Sequence, residues 1–264
     1  MAQGLRRPRE TKTQTVDKRH NTNPETMRKQ NQIFTGLVAG AAAFALASCG
    51  GSDSHSGPTR VLEVELPQEL SVGTPVDLSG IANLNPRELE DDFRPERVRV
   101  PESAVLLSRG KPVSSSDEEE PFEGELSYIT DGEKDGNEGF SVIISPGPQW
   151  VQIDLEQEAL VDAVVVWHYF MNDRVVNDVI VQVSNDPTFE TGVTTIFNND
   201  ITGETAELAG VGRGGDPAFI GTYHGRQIAG NGARGQHVRL WSNGNSDNRM
   251  NEYIEVEVWG RPVE

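Results

Sequence analysis

The stretch QWVQIDLEQEALVDAVVVWHYF, residues 149–170, decides the fold class of this protein. In WVQIDL, residues 150–155, polar and apolar side chains alternate, as they do in a β-strand with one buried face. The run AVVVWHYF, residues 163–170, is apolar on both faces at first and ends in four residues that carry rings. The stretch therefore predicts two strands, at 150–155 and 161–169, and leaves open whether the rings belong to the core or to a binding site.

The four ring-bearing residues divide between the two faces of the second strand. Trp167 and Tyr169 continue the face of Val165, whereas His168 and Phe170 lie on the opposite face. Because a strand of a two-sheet sandwich buries one face, we expect at most half of this cluster to be core. We interpret Trp167 as structural, and the sequence leaves the role of His168 open.

Short strands separated by Gly, Pro, Asn and Asp turns are also predicted along the rest of the chain after residue 102. They fall at residues 104–107, 140–144, 178–184, 194–197, 236–242 and 253–259. No window shows an apolar stripe with helical period longer than about two turns. Many short strands at this spacing indicate an all-β sandwich or barrel, and about 160 residues suffice to fill one core.

The first 48 residues have the pattern of an export signal. Arg28 and Lys29 precede an uncharged stretch, residues 33–46, which is too short to cross a bilayer as a helix. The following Leu-Ala-Ser-Cys resembles a bacterial lipobox, and its Cys49 is the only cysteine of the chain. We therefore expect lipid attachment at Cys49 and a location in the bacterial cell envelope, facing the periplasm or the cell exterior.

The remaining chain divides into a tethering region and a folded domain. Residues 49–102 are predicted to be the lipidated cysteine and a linker with short strands, and residues 103–262 the domain. Residues 1–26 are polar and long for an export signal, so we expect the true start at Met27. The first 30 residues hold eight of the 23 Lys and Arg but only three of the 41 Asp and Glu, so the rest is strongly acidic. Such a surface repels phosphate backbones, and we do not expect nucleic acid as a partner.

A series of segments, in this order, resembles the discoidin domain, also called the coagulation factor F5/8 type C domain, of the galactose-binding-like superfamily. The segments include ELSYITDGEKDG (125–136), VVVWHYF (164–170), DVIVQVSNDPTF (178–189), HVRLWSNGN (237–245) and YIEVEVWGR (253–261). The resemblance covers residues 103–261. It implies an antiparallel jelly-roll β-sandwich of about eight strands, no intrinsic catalysis, ligand binding by loops at one end, and often a structural calcium ion.

A calcium site is predicted at the loop TDGEKDGNEG, residues 130–139. Asp131, Asp135 and Asn137 offer oxygen atoms between glycines, and calcium takes six to eight oxygen ligands from such loops. The resemblance adds Glu255 of the last strand as a fourth ligand. The alternative is a solvated acidic turn, because Asp-Gly pairs commonly form turns without a metal.

Two loops are predicted to bind ligand. Sugar sites combine an aromatic face with a few polar side chains that bind hydroxyl groups. The segment TYHGR, residues 222–226, offers Tyr223, His224 and Arg226 between turn residues, and it is our first candidate. The second candidate loop follows the ring cluster and contains Asn172, Asp173 and Arg174.

No motif predicts an enzyme. The chain lacks H-E-x-x-H and G-x-S-x-G, and GVGRGG at residues 210–215 precedes DPAF where a nucleotide-binding motif would open a helix. We therefore expect a non-catalytic, membrane-anchored module that recognises carbohydrate or another extracellular polymer. The alternative is a structural or adhesion lipoprotein that binds a partner protein.

Overall fold

The computed structural model describes residues 57–68, 78, 80–90, 92–137, 139–172 and 174–263. The predicted export signal and Cys49 lie outside these residues. Within them the strands are β1 (Thr59–Val61), β2 (Arg99–Pro101), β3 (Val105–Leu106), β4 (Val113–Ser115), β5 (Val142–Ile144), β6 (Gln149–His168), β7 (Val175–Val176), β8 (Ile180–Ser184), β9 (Thr194–Asn198), β10 (Phe219–Ile220), β11 (Arg226–Ser242) and β12 (Asn251–Pro262). One α-helix, α1 (Glu204–Leu208), and two 3₁₀ turns, Pro86–Leu89 and Leu126–Thr130, complete these elements. None of the described helices has the length and apolar character needed to cross a bilayer.

The predicted all-β, antiparallel sandwich is confirmed. An eight-stranded antiparallel sheet has the order β3-β12-β6-β11-β8-β9, with β4 paired to β6 and β5 paired to β12. The two long strands, β6 and β11, pair with each other along nearly their whole length. Each has different outer partners in its two halves, because β6 pairs with β4 near Ile153 and with β12 near Val165.

The two strands predicted within residues 149–170 form one continuous strand. Residues 156–160, which lie between the predicted strands, remain in β6, although Glu156 has a left-handed φ of 63°. Two register shifts interrupt the pairing with β11 in this region, one between Ala229 and Ala233 and one between Gly235 and His237. Such bulges bend a strand and increase its twist, so β6 and β11 can each contribute to both faces of the core.

The main core joins the two halves of these strands. Val151 and Ile153 from the first half of β6 belong to the same buried cluster as Val164 and Val166 from the second half. Tyr253 of β12 lies fully buried in that cluster, and its hydroxyl group contacts that of Ser242 at 2.9 Å. The even-numbered face of the second half of β6 is therefore the interior of the sandwich.

The odd-numbered face of the same strand is buried too, which makes our expectation for the ring cluster wrong. Trp167 and His168 are 0% and 1% exposed, although they lie on opposite faces. Trp167 packs with Leu62 and Val100, which lie beside or in the paired strands β1 and β2. These strands belong to the region predicted as a linker, and they cover what would otherwise be the outer face of the sheet.

Candidate functional site

The segment TYHGR forms a tight turn that leads directly into β11. The N–H of Gly225 donates a hydrogen bond to the carbonyl of Thr222 at 3.0 Å, and the next residue, Arg226, pairs with Val166 of β6. This register places the turn beside Trp167, the residue that follows Val166. The indole Nε1 of Trp167 donates to the carbonyl of Tyr223 at 3.1 Å, so a fully buried side chain positions the turn.

Gly225 is required at the closest point of this contact. Its φ of +65° lies in the left-handed region, which a residue with a Cβ atom adopts only at a cost. A Cβ atom at this position would lie 2.5 Å from Cε2 of Trp167. Both the backbone conformation and the space beside the indole therefore call for glycine.

The turn presents two adjacent rings to a concavity. The ring centroids of Tyr223 and His224 are 4.0 Å apart, with 34° between the ring planes. The concavity has a volume of about 470 Å³. Its other lining residues are Leu62, Glu63, Val64, Leu66, Arg94, Pro95, Arg97 and Gln227. We call it the first concavity.

Most of the opposite wall comes from the region predicted as a linker, and Gln227 holds that region in place. The side-chain oxygen of Gln227 accepts a hydrogen bond from the N–H of Val98 at 2.9 Å, and its Nε2 lies 3.5 Å from the carbonyl oxygen of Leu62. Arg97 and Glu63 lie 3.6 Å apart on the rim, where both side chains are largely exposed, so their ion pair contributes little to stability. Gln227 thus joins the sheet to both parts of the region that covers it, residues 59–66 and 93–101. We call this region the covering segment.

Arg226 lies on the other side of the turn. Its Nη2 donates to Glu88 at 2.6 Å and to the carbonyl of Ala218 at 3.0 Å, in a second concavity of about 440 Å³. This second concavity is lined by Asn85, Glu88, Phe93, Arg94, Pro95, Glu96, Pro217, Ile220, Thr222, Gly225, Arg226 and Gln227. Of the three residues predicted to bind ligand in TYHGR, the structure brings Tyr223 and His224 together in the first concavity and places Arg226 in the second.

The second candidate loop forms a separate cluster. Arg174 is 5% exposed and donates to Asn172 at 2.6 Å, to Glu252 at 2.6 Å and to Asp247 at 3.0 Å. Its guanidinium group also lies 4.4 Å from the ring centroid of Tyr169. Neither Arg174 nor Asn172 lines the two concavities. These contacts give Arg174 a structural role in holding the loop to β12, and Asp173 lies outside the described residues.

The calcium prediction has one well-defined element, Glu255. Its side chain is 1% exposed and accepts a hydrogen bond from the N–H of Gly132 at 3.1 Å. Burial, together with the neighbouring Asp131 and Glu257, raises the pKa of Glu255 to about 8, against the opposing effects of the Gly132 hydrogen bond and of Lys134. Nζ of Lys134 forms an ion pair with the carboxylate of Glu257 at 2.5 Å. The structure therefore brings Glu255 to the Asp131-Gly132 turn, as the predicted ligand set requires.

The other two predicted ligands face each other. The carboxylate of Asp135 accepts hydrogen bonds from the backbone N–H of Asn137 at 2.9 Å and from its side-chain amide at 2.5 Å. The carbonyl of Asp131 accepts from Arg109 at 2.9 Å. Among the described residues, no three His, Cys, Asp or Glu side chains are grouped so that they could hold a metal. A calcium ion beside Glu255 would thus depend on backbone carbonyl oxygens for most of its ligands.

His168, whose role the sequence left open, is a core residue. Its Nδ1 lies 2.7 Å from the carbonyl oxygen of Glu252, so Nδ1 carries the proton and donates it. Its ring packs edge-on against Phe219, with the centroids 5.0 Å apart. Burial lowers the pKa of His168 to about 4, and the hydrogen bond to Glu252 opposes that shift only in part. The imidazole is therefore neutral near pH 7 and lies away from both concavities.

Sequence reasoning missed the wall formed by residues 62–66 and 93–97. The alternation of apolar and acidic residues in VLEVELP, residues 61–67, is typical of an extended segment, but no local pattern says which surface such a segment covers. Gln227 gave no signal either, because its role depends on two backbone partners more than 120 residues earlier in the chain.

Part of the chain matches a known family model. Residues 128–212 match the family model described as the NedA-like, galactose-binding domain of the F5/F8 type C group. This match confirms the resemblance to the discoidin family. No curated protein sequence matches the chain.

Several solved structures are similar to this chain. A family 89 glycoside hydrolase from Clostridium perfringens matches with 13% identity and a TM-score of 0.43, over 60% of this chain and 15% of the enzyme. The family 32 carbohydrate-binding module of C. perfringens NanJ, solved with galactose, matches with 9% identity and a TM-score of 0.42, over 59% of this chain and 98% of the module. A chitosan-binding module from a Paenibacillus sp. IK-5 chitosanase/glucanase matches with 22% identity and a TM-score of 0.40, over 59% of this chain and 99% of the module. The chain thus spans about 15% of the length of the glycoside hydrolase.

Proposed function

Residues 128–212 match the galactose-binding domain of the F5/F8 type C group, and on that premise we propose that the protein is a non-catalytic module that binds carbohydrate in the first concavity. The adjacent rings of Tyr223 and His224 are the observation that carries this proposal. Sugar rings present C–H groups on one face, which pack against an aromatic surface, and hydroxyl groups at their edges.

The other walls of the first concavity supply groups that suit the hydroxyl edges. Arg94 and Arg97 carry several N–H donors in a planar group, and Gln227 carries an amide. Leu62 and Val64 add apolar surface. A volume of about 470 Å³ lies within the usual range of small-molecule sites, roughly 300–1,000 Å³. A wall of mixed apolar and polar groups beside a ring surface fits a sugar better than it fits a fully apolar ligand.

We also propose that calcium binds between Glu255 and the Asp131-Gly132 turn. The support is the buried carboxylate of Glu255, whose ionised form needs a positive partner while the nearby Lys134 is paired with Glu257. The chemistry of calcium there is structural, since the ion would join the last strand to the loop that precedes β5. Asp135 and Asn137 would serve as ligands only if their mutual hydrogen bonds are exchanged for the metal.

Attachment to a membrane through Cys49 remains part of the proposal, supported by the lipobox-like sequence Leu-Ala-Ser-Cys. Two or three acyl chains at one residue anchor a protein firmly, whereas one chain does so only marginally. The module would then be held in the cell envelope, outside the cytoplasm, through the nine residues that separate Cys49 from β1 in the sequence. Mass analysis of the N-terminus of protein extracted from membranes tests this, and an unmodified Cys49 there would exclude it.

A glycan array tests the carbohydrate proposal. The wild-type protein should retain at least one class of saccharide, and Tyr223→Ala should lose that signal. Phe122→Ala is the matched control, because Phe122 is a 68% exposed aromatic residue that lines neither concavity. Absence of any retained saccharide, or equal loss of binding in both variants, would refute the proposed site.

A further inference from the structure

We propose that the ligand is an internal stretch of a linear, uncharged polysaccharide that crosses both concavities, and this inference rests on the proposed function. The two concavities are adjacent, because both are lined by Arg94, Pro95 and Gln227, and we call these three shared residues the ridge. Their volumes, about 470 and 440 Å³, are nearly equal. A site for one terminal sugar would need only one of them.

The ridge between the concavities is a fixed part of the fold. Gln227 belongs to β11 and pairs with Val165 of β6, while its side chain holds the backbone of Val98. On the covering segment, the nearby Leu62 and Val100 are fully buried. The distance between the two concavities is therefore set by the sheet, which suits a polymer with a regular repeat.

Each concavity offers an aromatic ring. Tyr223 and His224 lie in the first, and Phe93 lines the second together with Pro217 and Ile220. Sugar rings at two separate positions along one chain could thus each pack against apolar surface. A ligand confined to the first concavity would not contact Phe93, which lines only the second.

The charges that line the combined groove are balanced. Arg97 lies 3.6 Å from Glu63 in the first concavity, and Arg226 lies 2.6 Å from Glu88 in the second. Arg94 and Glu96 complete the charged lining. The three arginines and three glutamates of the combined lining sum to zero, so the groove has no net attraction for a charged ligand, which favours hydroxyl groups over carboxylates or amines. From this balance of charges we infer that the saccharide is uncharged.

The test is an array of neutral linear glycans, namely β-1,4-galactan, β-1,4-mannan, chitin and xylan fragments, with mannuronate and chitosan fragments as charged counterparts, each printed at lengths from one to six sugars. We expect affinity for fragments of four or more sugars to exceed that for single sugars roughly tenfold, which corresponds to about 1.4 kcal/mol. Phe93→Ala should remove this gain from length and leave single-sugar binding unchanged. Pro217→Ala removes apolar surface from the second concavity alone and should also remove the gain from length, so it provides a second variant if Phe93→Ala lowers the yield of folded protein.

The outcomes separate this inference from the proposed function. Equal affinity for one and six sugars, with Tyr223→Ala still abolishing binding, would overturn the polymer inference and keep the proposed site. Stronger binding of mannuronate or chitosan fragments than of neutral ones of equal length would overturn the uncharged class. Absence of binding to any of these fragments, while another saccharide is still retained on the general glycan array, would overturn the polymer inference alone.

Discussion

The indole N–H of Trp167 donates a hydrogen bond to the carbonyl of Tyr223 at 3.1 Å and so joins a fully buried position of the sheet to the proposed binding surface. The contact arises from strand register, because Arg226 pairs with Val166 and the preceding turn must then lie beside Trp167. Trp167 itself lines neither concavity, yet it sets where the rings of Tyr223 and His224 stand.

Replacing Gly225 by alanine should disturb the turn. The added Cβ atom would lie 2.5 Å from Cε2 of Trp167, and the φ of +65° would be strained as well. We expect a loss of about 2 kcal/mol or more in the free energy of unfolding, measured in urea, together with weaker saccharide binding.

Gly110→Ala is the matched control for this change. Gly110 has nearly the same φ, +67°, but a Cβ atom there would meet nothing within 4 Å. It should lose only the backbone contribution, about 1 kcal/mol, and keep full binding. Equal losses of stability and binding in the two variants would contradict the role assigned to the contact with Trp167.

Trp167→Phe should weaken binding by removing one donor. The carbonyl of Tyr223 would lose its partner, at a cost of about 1–3 kcal/mol in unfolding free energy. Trp241→Phe removes a comparable indole hydrogen bond, to Gln182 at 3.2 Å, away from the concavities. Both variants should lower the melting temperature, but only Trp167→Phe should reduce retention on a glycan array. An equal reduction in both would show that general destabilisation explains the effect.

The sequence predicted the strands well where local alternation signals them, as in residues 150–155 and 253–259. It could not show that both faces of 164–168 are buried. The odd-numbered face is covered by β1 and β2, which lie about 60 to 100 residues earlier in the chain. The candidate binding site was likewise predictable only where its residues are close together in the sequence. Tyr223 and His224 share a ring-bearing turn, whereas Arg226 is drawn to Glu88, 138 residues away, by a contact that no local pattern reveals.

His168 should make stability depend on pH. The unfolded imidazole has a pKa near 6.5, and burial lowers the folded value to about 4, so the unfolded state binds protons more readily between these values. The contribution of neutral His168 is complete above pH 6.5 and is lost as pH falls towards 4. Between pH 7.5 and 4.5, wild type should lose about 2–3 kcal/mol more unfolding free energy than His168→Phe. Identical pH profiles for the two proteins would contradict the burial of a neutral imidazole.

Calcium should raise the melting temperature of the wild-type protein, and a chelator should reverse the increase. Glu255→Gln should abolish the calcium response, because it removes the buried carboxylate beside Gly132. Asp135→Asn should leave the response largely intact, since Asp135 is occupied by Asn137. Loss of the response in Asp135→Asn would instead support the full ligand set expected from sequence. An unchanged melting temperature in wild type would argue against calcium.

The location of the bound saccharide decides whether the first concavity is the binding site. A backbone amide NMR titration with a saccharide that the glycan array identifies would report which residues change their chemical shifts. We predict the largest changes at Tyr223, His224 and Gln227, with smaller ones along 93–97. Changes centred on Asn172 and Arg174, with the Tyr223 turn unaffected, would contradict it.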